Sequence, residues 1–224
     1  MVAKALDSST SAHWQLDSYE GGDMVAVDTG RLSCSADGSG VYSIDGGESK
    51  LSATSEFSPG GSAEETMPAD IQAAGGTATD EELFSAEGDE SWEIDSGETP
   101  TDYRIDETIA RQVNCSHITA ALAEAELEYD GTGEAAGVPA DRWRGEATVS
   151  TLAEHAKGFA AQDYGQLTDM DLGKARLEIE LWIDAENRPV VYYQHLSPQQ
   201  SGLQDRWFAM TLTEWDEAEE VTAP

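Results

Sequence analysis

Arg176-Leu177-Glu178-Ile179-Glu180-Leu181-Trp182-Ile183 runs into Asp184-Ala185-Glu186-Asn187 and then into Arg188-Pro189-Val190-Val191-Tyr192-Tyr193-Gln194-His195-Leu196. Leu177, Ile179, Leu181 and Ile183 alternate with Glu178, Glu180 and Trp182, a period of two that marks a strand with one buried face. Asp184–Asn187 has the composition of a tight turn, and residues 189–196 follow as a returning strand. This hairpin sets the class: an antiparallel sheet whose apolar face has to be covered.

The same grammar extends to both ends of the chain. Residues 206–215 read as a last strand. Near the start, residues 13–19, 24–28, 30–36, 40–45 and 50–57 read as strands, after a short helix ending near Ser11. Hairpin signals separate them at Glu20-Gly21-Gly22-Asp23, Asp37-Gly38 and Asp45-Gly46-Gly47-Glu48. Between 58 and 102 the composition turns to Gly, Ser, Thr, Asp and Glu, which predicts a partly mobile insertion. Within it a weakly patterned strand pair is expected around 83–85 and 91–95. Ile105, Ile109, Val113, Ile118 and Leu122 stand at near-helical spacing and predict a helix over 105–124. Asp130-Gly131-Thr132-Gly133 reads as a break, residues 142–149 as a strand, and 151–162 as an amphipathic helix with Ser150 as its N-cap. One domain spanning 1–224 follows.

Charge removes several functions. The chain of 224 residues holds 12 Lys+Arg against 45 Asp+Glu, a net charge of −33. Phosphate binding needs clustered Lys and Arg, so nucleic acid and anionic headgroups are excluded as partners. With 39 % apolar residues, six Trp and seven Tyr, the chain has the means to build a core. Lysine is scarce, with only Lys4, Lys50, Lys157 and Lys174, and carboxylates are spread from end to end, which fits a surface built for high salt. A decoy that mimics nucleic acid would gather its carboxylates on one face or tail. No apolar run approaches the length of a membrane span.

Catalytic and cofactor motifs fare no better. Gly131-Thr132-Gly133-Glu134-Ala135-Ala136 matches a loose dinucleotide-binding loop, but Gly137-Val138-Pro139 follows where a helix should begin. His13, His117, His155 and His195 share no metal-ligand spacing and read as surface or strand residues. Cys115 and His117, at i and i+2 of one helix, point to different faces and do not form a nucleophilic pair. Asp169-Met170-Asp171 lacks the glycine and terminal glutamate of a calcium loop. Paired carboxylates carry no signal among so many. A non-enzymatic protein without metal or cofactor is expected.

Three further segments carry a family resemblance. Gly137-Val138-Pro139-Ala140-Asp141-Arg142-Trp143-Arg144-Gly145-Glu146-Ala147-Thr148-Val149 is similar to a "Gly-Val … Tyr-Arg-Gly-Thr-Val" strand, and Leu177-Glu178-Ile179-Glu180-Leu181-Trp182-Ile183-Asp184-Ala185-Glu186-Asn187-Arg188-Pro189-Val190 is similar to a "Trp-Ile-Asp … Pro-Val" hairpin. Thr213-Glu214-Trp215-Asp216 with Val221-Thr222-Ala223-Pro224 is similar to a "Pro-Val … Ala-Pro" finish, and residues 5–13 loosely match a first helix and strand. Together they resemble the actinobacterial envelope lipoproteins grouped with LppX and LprG, of LolA-like fold. Residues 58–102 depart most, where relatives carry a "Gly-x-x-Tyr" turn.

The resemblance implies an α+β fold: a curved antiparallel sheet of about eight to eleven strands, an unclosed half-barrel with helices over its concave face. It also implies an extracytoplasmic protein, lipid-anchored or secreted, that binds or carries a lipid or other apolar molecule between sheet and helices. The alternatives are a ligand-free envelope module of the same fold and the cytoplasmic acidic decoy. The family's leader and lipid-modified cysteine are not found before Val2, so the sequence is expected to start after that cysteine, and contact with a membrane would come only through that anchor. The expected ligand-facing residues are Leu177, Ile179, Leu181, Phe208, Met210 and Leu212 on the sheet, with Ile109, Val113, Leu122, Leu152 and Phe159 on the helices. An extracytoplasmic site permits a disulfide, for which Cys34 and Cys115 are the candidates.

Overall fold

The computed structural model describes residues 11–20, 23–34, 40–47, 81–85, 91–94, 112–197 and 206–217. Ten strands form one antiparallel sheet: β1 (Ala12–Glu20), β2 (Asp23–Cys34), β3 (Gly40–Gly47), β4 (Glu81–Ser85), β5 (Ser91–Ile94), β6 (Glu128–Ala135), β7 (Val138–Thr148), β8 (Arg176–Asp184), β9 (Pro189–Leu196) and β10 (Arg206–Thr213). Their order is β5-β4-β3-β2-β1-β10-β9-β8-β7-β6. Two five-strand meanders, one from each half of the chain, are joined where the first strand meets the last. That seam is regular from His13 opposite Thr213 to Glu20 opposite Arg206. The sheet ends in β5 and β6 and does not close on itself. The expected fold class is therefore the observed one.

Three described helices lie on one face: α1 (Cys115–Glu124), α2 (Val149–His155) and α3 (Gly158–Asp169). The helix read over 105–124 is described only from Cys115. Asn114 is its N-cap, with an extended backbone and a side chain that accepts from Ser116 N at 2.8 Å. Val113 thus precedes the helix. The helix read over 151–162 is two helices. Ala156 and Lys157 are extended and Gly158 sits at φ +53°, a left-handed conformation that glycine adopts without steric cost. Its N-cap is Thr148, whose Oγ1 accepts from Thr151 N at 3.3 Å, while Ser150 Oγ donates to Gly173 O at 2.8 Å. The backbone N–H of Lys157 donates to Ser116 Oγ at 2.7 Å and ties the α2–α3 joint to the start of α1.

The strands differ from the reading in four places. Segments 24–28 and 30–36 merge into β2, which absorbs an irregularity at Thr29/Gly30. Asp45, Gly46 and Gly47 belong to β3 rather than to a turn. Gly131 and Gly133 lie inside β6, where Gly131, at φ +118°, makes a bulge instead of a break. The turn comes later, at Ala136 (φ +50°) and Gly137 (φ +75°), a two-residue connection with the handedness of a twisted hairpin. By contrast β8, β9 and the turn between them stand as read. Asp184 Oδ1 accepts from Glu186 N and Arg188 N at 3.0 and 2.8 Å, and Asn187 supplies φ +66°. Strands β4 and β5 match the expected pair within the acidic insertion. The rest of 58–102, the N-terminal helix and the 50–57 strand lie outside the described residues.

Cys34, at the end of β2, is bonded to Cys115, the first residue of α1, with Cα atoms 6.1 Å apart. The candidate disulfide is thus formed, and it ties the helix layer to the N-terminal meander.

Candidate functional site

The face of the sheet under the helices is built by the alternation seen in sequence. Opposite one another across the strands stand Trp14 and Leu212, Leu16 and Met210, Met210 and Tyr192, and Tyr192 and Leu181. Of the expected ligand-facing residues, Val113, Leu152, Leu177, Ile179, Leu181, Phe208, Met210 and Leu212 are all at most 2 % exposed and belong to one cluster, with Leu122 packed against it. The structure packs these sheet and helix positions together. Ile109 and the side chain of Phe159 lie outside the described residues. Described residues give these positions as core, in mutual contact, with Trp14, Leu16, Ile118 and Tyr164 among their fully buried companions.

A polar group that the sequence did not announce crosses this seam. His117 on α1 is fully buried, which corrects its reading as a surface or strand residue. Its ring lies between Tyr164 on α3, Tyr192 on β9 and Phe208 on β10, with centroids 5.1, 6.2 and 5.2 Å away. His117 Nδ1 is 2.8 Å from Tyr164 Oη. Tyr164 Oη and Tyr192 Oη both donate to Gln194 Oε1, at 2.8 and 3.0 Å. Tyr164 and Tyr192 also hydrogen-bond each other, and the direction of the His117–Tyr164 contact is set by the imidazole tautomer. Burial, above all, raises both phenols far from titration, and they stay neutral donors. At the rim of the same seam Arg206 Nη2 meets Asp163 Oδ1 at 3.0 Å, joining α3 to β10. The available signal was weak: Tyr192 and Gln194 alternate with Val191 and Tyr193 on β9, which places them inward, but nothing local pairs them with residues of α1 and α3.

On the opposite face, β8 departs from the one-sided pattern. Trp182 is 3 % exposed and clusters with Ala135, Ala140 and Val190, while Arg142 lies over its ring at 5.4 Å. Glu180 is buried too. Its carboxylate takes Trp182 Nε1 at 2.6 Å and Arg144 Nε at 2.8 Å, so the charge is paired where water is scarce. Beside it opens a cavity of about 460 Å³, walled by Arg144, Glu146, Arg176, Glu178, Glu180 and Tyr193 among others. Its walls are mostly charged, which separates it in kind from the apolar space expected under the helices. Further along the sheet, burial raises the carboxyl of Asp17 to about 6, against a smaller lowering by Gln15. Among the described residues no group of three or more His, Cys, Asp or Glu is placed to hold a metal.

Comparison with known proteins bears on the fold. No family model matches the sequence, and no curated protein does. Solved structures do. The chain has the fold of LprF from Mycobacterium bovis. That match covers 100 % of this chain and 92 % of LprF, at 13 % identity and a TM-score of 0.52. The lipoprotein LppX from Mycobacterium tuberculosis is matched over 98 % of this chain and 93 % of its own, at 12 % identity and a TM-score of 0.49. At 13 % identity the likeness to LprF is one of fold, and it agrees with the fold implied by the sequence resemblance.

Proposed function

We propose that this protein is a non-enzymatic, extracytoplasmic lipoprotein that takes up a lipid or other apolar molecule between its sheet and its helix layer. What supports the reading is the apolar lining that the sheet and the helix layer present to each other on a fold shared with LprF. Leu177, Ile179 and Leu181 of β8 and Phe208, Met210 and Leu212 of β10 are buried together with Val113, Leu122 and Leu152 of the helical side. Each CH₂ of an acyl chain moved from water among such side chains contributes about 0.8 kcal/mol, so a dozen carbons suffice for tight binding without a charged contact. A net charge of −33 is no obstacle to a ligand held by its tails. The Cys34–Cys115 bond supports a site in an oxidising compartment, where disulfides persist.

The test is native mass spectrometry of the purified protein, paired with organic extraction, to find a co-purifying lipid. Leu181→Trp, which fills the seam, is expected to cut uptake while the far-ultraviolet circular dichroism stays unchanged. The close burial of the same residues favours the ligand-free envelope module as the second reading. A protein that carries no lipid as purified and takes none up on exposure would leave that module standing.

A further inference from the structure

We infer that the edge of β6 is a docking site for an extended, lysine- or arginine-bearing segment of another protein, which joins the sheet as a further strand. This surface is separate from the space between sheet and helices, and the inference does not depend on uptake there. β6 ends the sheet: among the described residues it pairs with β7 alone. Its outer row of backbone N–H and C=O groups is a template for a strand from outside. Glu128, Tyr129, Asp130, Thr132 and Glu134 are exposed along it, so the edge is open to solvent.

Charge decides what can pair there. The two arginines nearest the edge are already engaged: Asp130 holds Arg142 at 3.0 Å and Arg144 at 3.2 Å, and Glu180 takes Arg144 as well. Glu126, Glu128 and Glu134 make no ion pair among the described residues. A second copy of this chain would set these carboxylates against their equals, and like charges directly opposite across a strand pair are destabilising. A strand bearing cations meets the opposite sign, so the same acids that block self-pairing select a basic partner. Side chains of the incoming strand alternate between two faces. On one, a lysine or arginine meets Glu128, in register with Arg144, and the charged cavity that Glu126 and Glu128 help to wall. On the other stands Tyr129, 55 % exposed and edge-on to Trp143 at 5.6 Å, an aromatic pair that a cation can lie over. The irregularity between Tyr129 and Gly131 bends the edge, which limits the docked segment to a short one.

The experiment titrates the full-length protein, in about 0.1 M salt, with three short end-capped peptides. One alternates lysine with threonine, and one alternates glutamate with threonine. The third is the lysine peptide N-methylated on successive amides, which keeps the charge and removes the strand's hydrogen bonds. Affinity is read by calorimetry, and amide hydrogen exchange reports which strand is protected. The lysine peptide is expected to bind and to slow exchange on β6, the N-methylated one to bind about tenfold more weakly, and the glutamate one not to bind. Glu128→Lys with Glu134→Lys is expected to weaken binding of the lysine peptide about tenfold. Glu154→Lys with Asp169→Lys makes an equal change of charge at exposed positions on α2 and α3, and is expected to leave the affinity within about twofold. An equal loss in both double variants, or equal binding of the N-methylated peptide, would mean diffuse attraction to an acidic surface and overturns the inference. No binding of the lysine peptide, or protection on another strand, overturns it too. A dimer of the wild type with β6 protected at its interface would put a second copy on the edge, and also overturns it.

Discussion

Cys34 closes β2 and Cys115 opens α1, and the bond between them spans a sequence separation of 81 residues. A cross-link that closes a loop of this size removes conformational entropy from the unfolded chain, about 4.5 kcal/mol on the chain-entropy account. It also anchors the layer that covers the sheet, because the turn of helix after Cys115 carries His117 into the core. Cys34→Ser with Cys115→Ser is expected to lower the urea midpoint substantially, and dithiothreitol to do the same to the wild type. Unchanged midpoints in both would show that the bond contributes nothing in solution.

Two glycines give opposite predictions. A Cβ on Gly145 would stand 2.6 Å from Glu126 O and 2.8 Å from its carbonyl carbon, where the chain entering β6 crosses β7. Both atoms are backbone, and Leu127 N is held at 2.8 Å by Ala125 O, so relief requires moving the main chain. Gly145→Ala is expected to destabilise by about 1–3 kcal/mol. Gly165, inside α3, meets nothing within 4 Å, and alanine there is expected to stabilise by about 0.5–1 kcal/mol. Thermal melts of the two variants measure both signs, and a neutral Gly145→Ala would refute the close approach.

Much of this architecture was legible beforehand, and the failures have causes. The β8–β9 hairpin could be read to within one residue because strict alternation and a polar Asp-Ala-Glu-Asn turn agree, with Asn187 taking the positive φ that the turn needs. The lead into β6 was missed because glycine marks a break and a bulge with the same letter. The split between α2 and α3 was visible as Lys157-Gly158, yet apolar spacing runs through it. At the site, periodicity identified the faces of Leu181 and Met210 but not the polar seam. Tyr164 and Gln194 stand 30 residues apart, and only the packing of α3 on β9 makes one the partner of the other. Glu180 was assigned to a solvated face for the same reason, since its partner Arg144 is set by cross-strand register, while Trp182, two residues on in β8, turns to the same side.

Asp17 gives stability a distinctive pH dependence. Burial raises its carboxyl from 3.8 to about 6, with Gln15 Nε2 opposing from 3.3 and 3.4 Å. A group whose folded value is raised contributes stability that is complete below the unfolded value and lost as pH climbs through the folded one. The window is therefore about pH 4 to 6, and at pH 8 the ionised Asp17 opposes folding. Asp17→Asn keeps an acceptor for Gln15 and removes the charge. It is expected to be about 1–3 kcal/mol more stable than wild type at pH 8, with the difference vanishing near pH 4. Urea unfolding of both proteins across that range isolates Asp17 from the other carboxylates, and a constant difference would exclude the assignment.

The remaining prediction concerns the surface. With 45 carboxylates against 12 cationic side chains, repulsion acts over the whole molecule and favours expansion in dilute buffer. The ion pairs that relieve it are local. Arg188 is held by Asp184 at 2.7 Å, Arg176 by Glu146 at 2.6 Å, and Arg144 is shared between Glu180 and Asp130. Salt weakens these few pairs and, in the same measure, the far more numerous repulsions. Screening at about 10 Å in 0.1 M salt tightens to about 3 Å at 1 M, so close neighbours on the surface are relieved only in the molar range. The melting temperature is accordingly expected to climb continuously from low to molar sodium chloride instead of levelling off near 0.1 M. Potassium chloride should act alike, because the effect is one of ionic strength and not of a bound ion. A melting temperature that stays flat or falls over that range would mean that repulsion does not limit this fold, and that its acidity serves something other than salt.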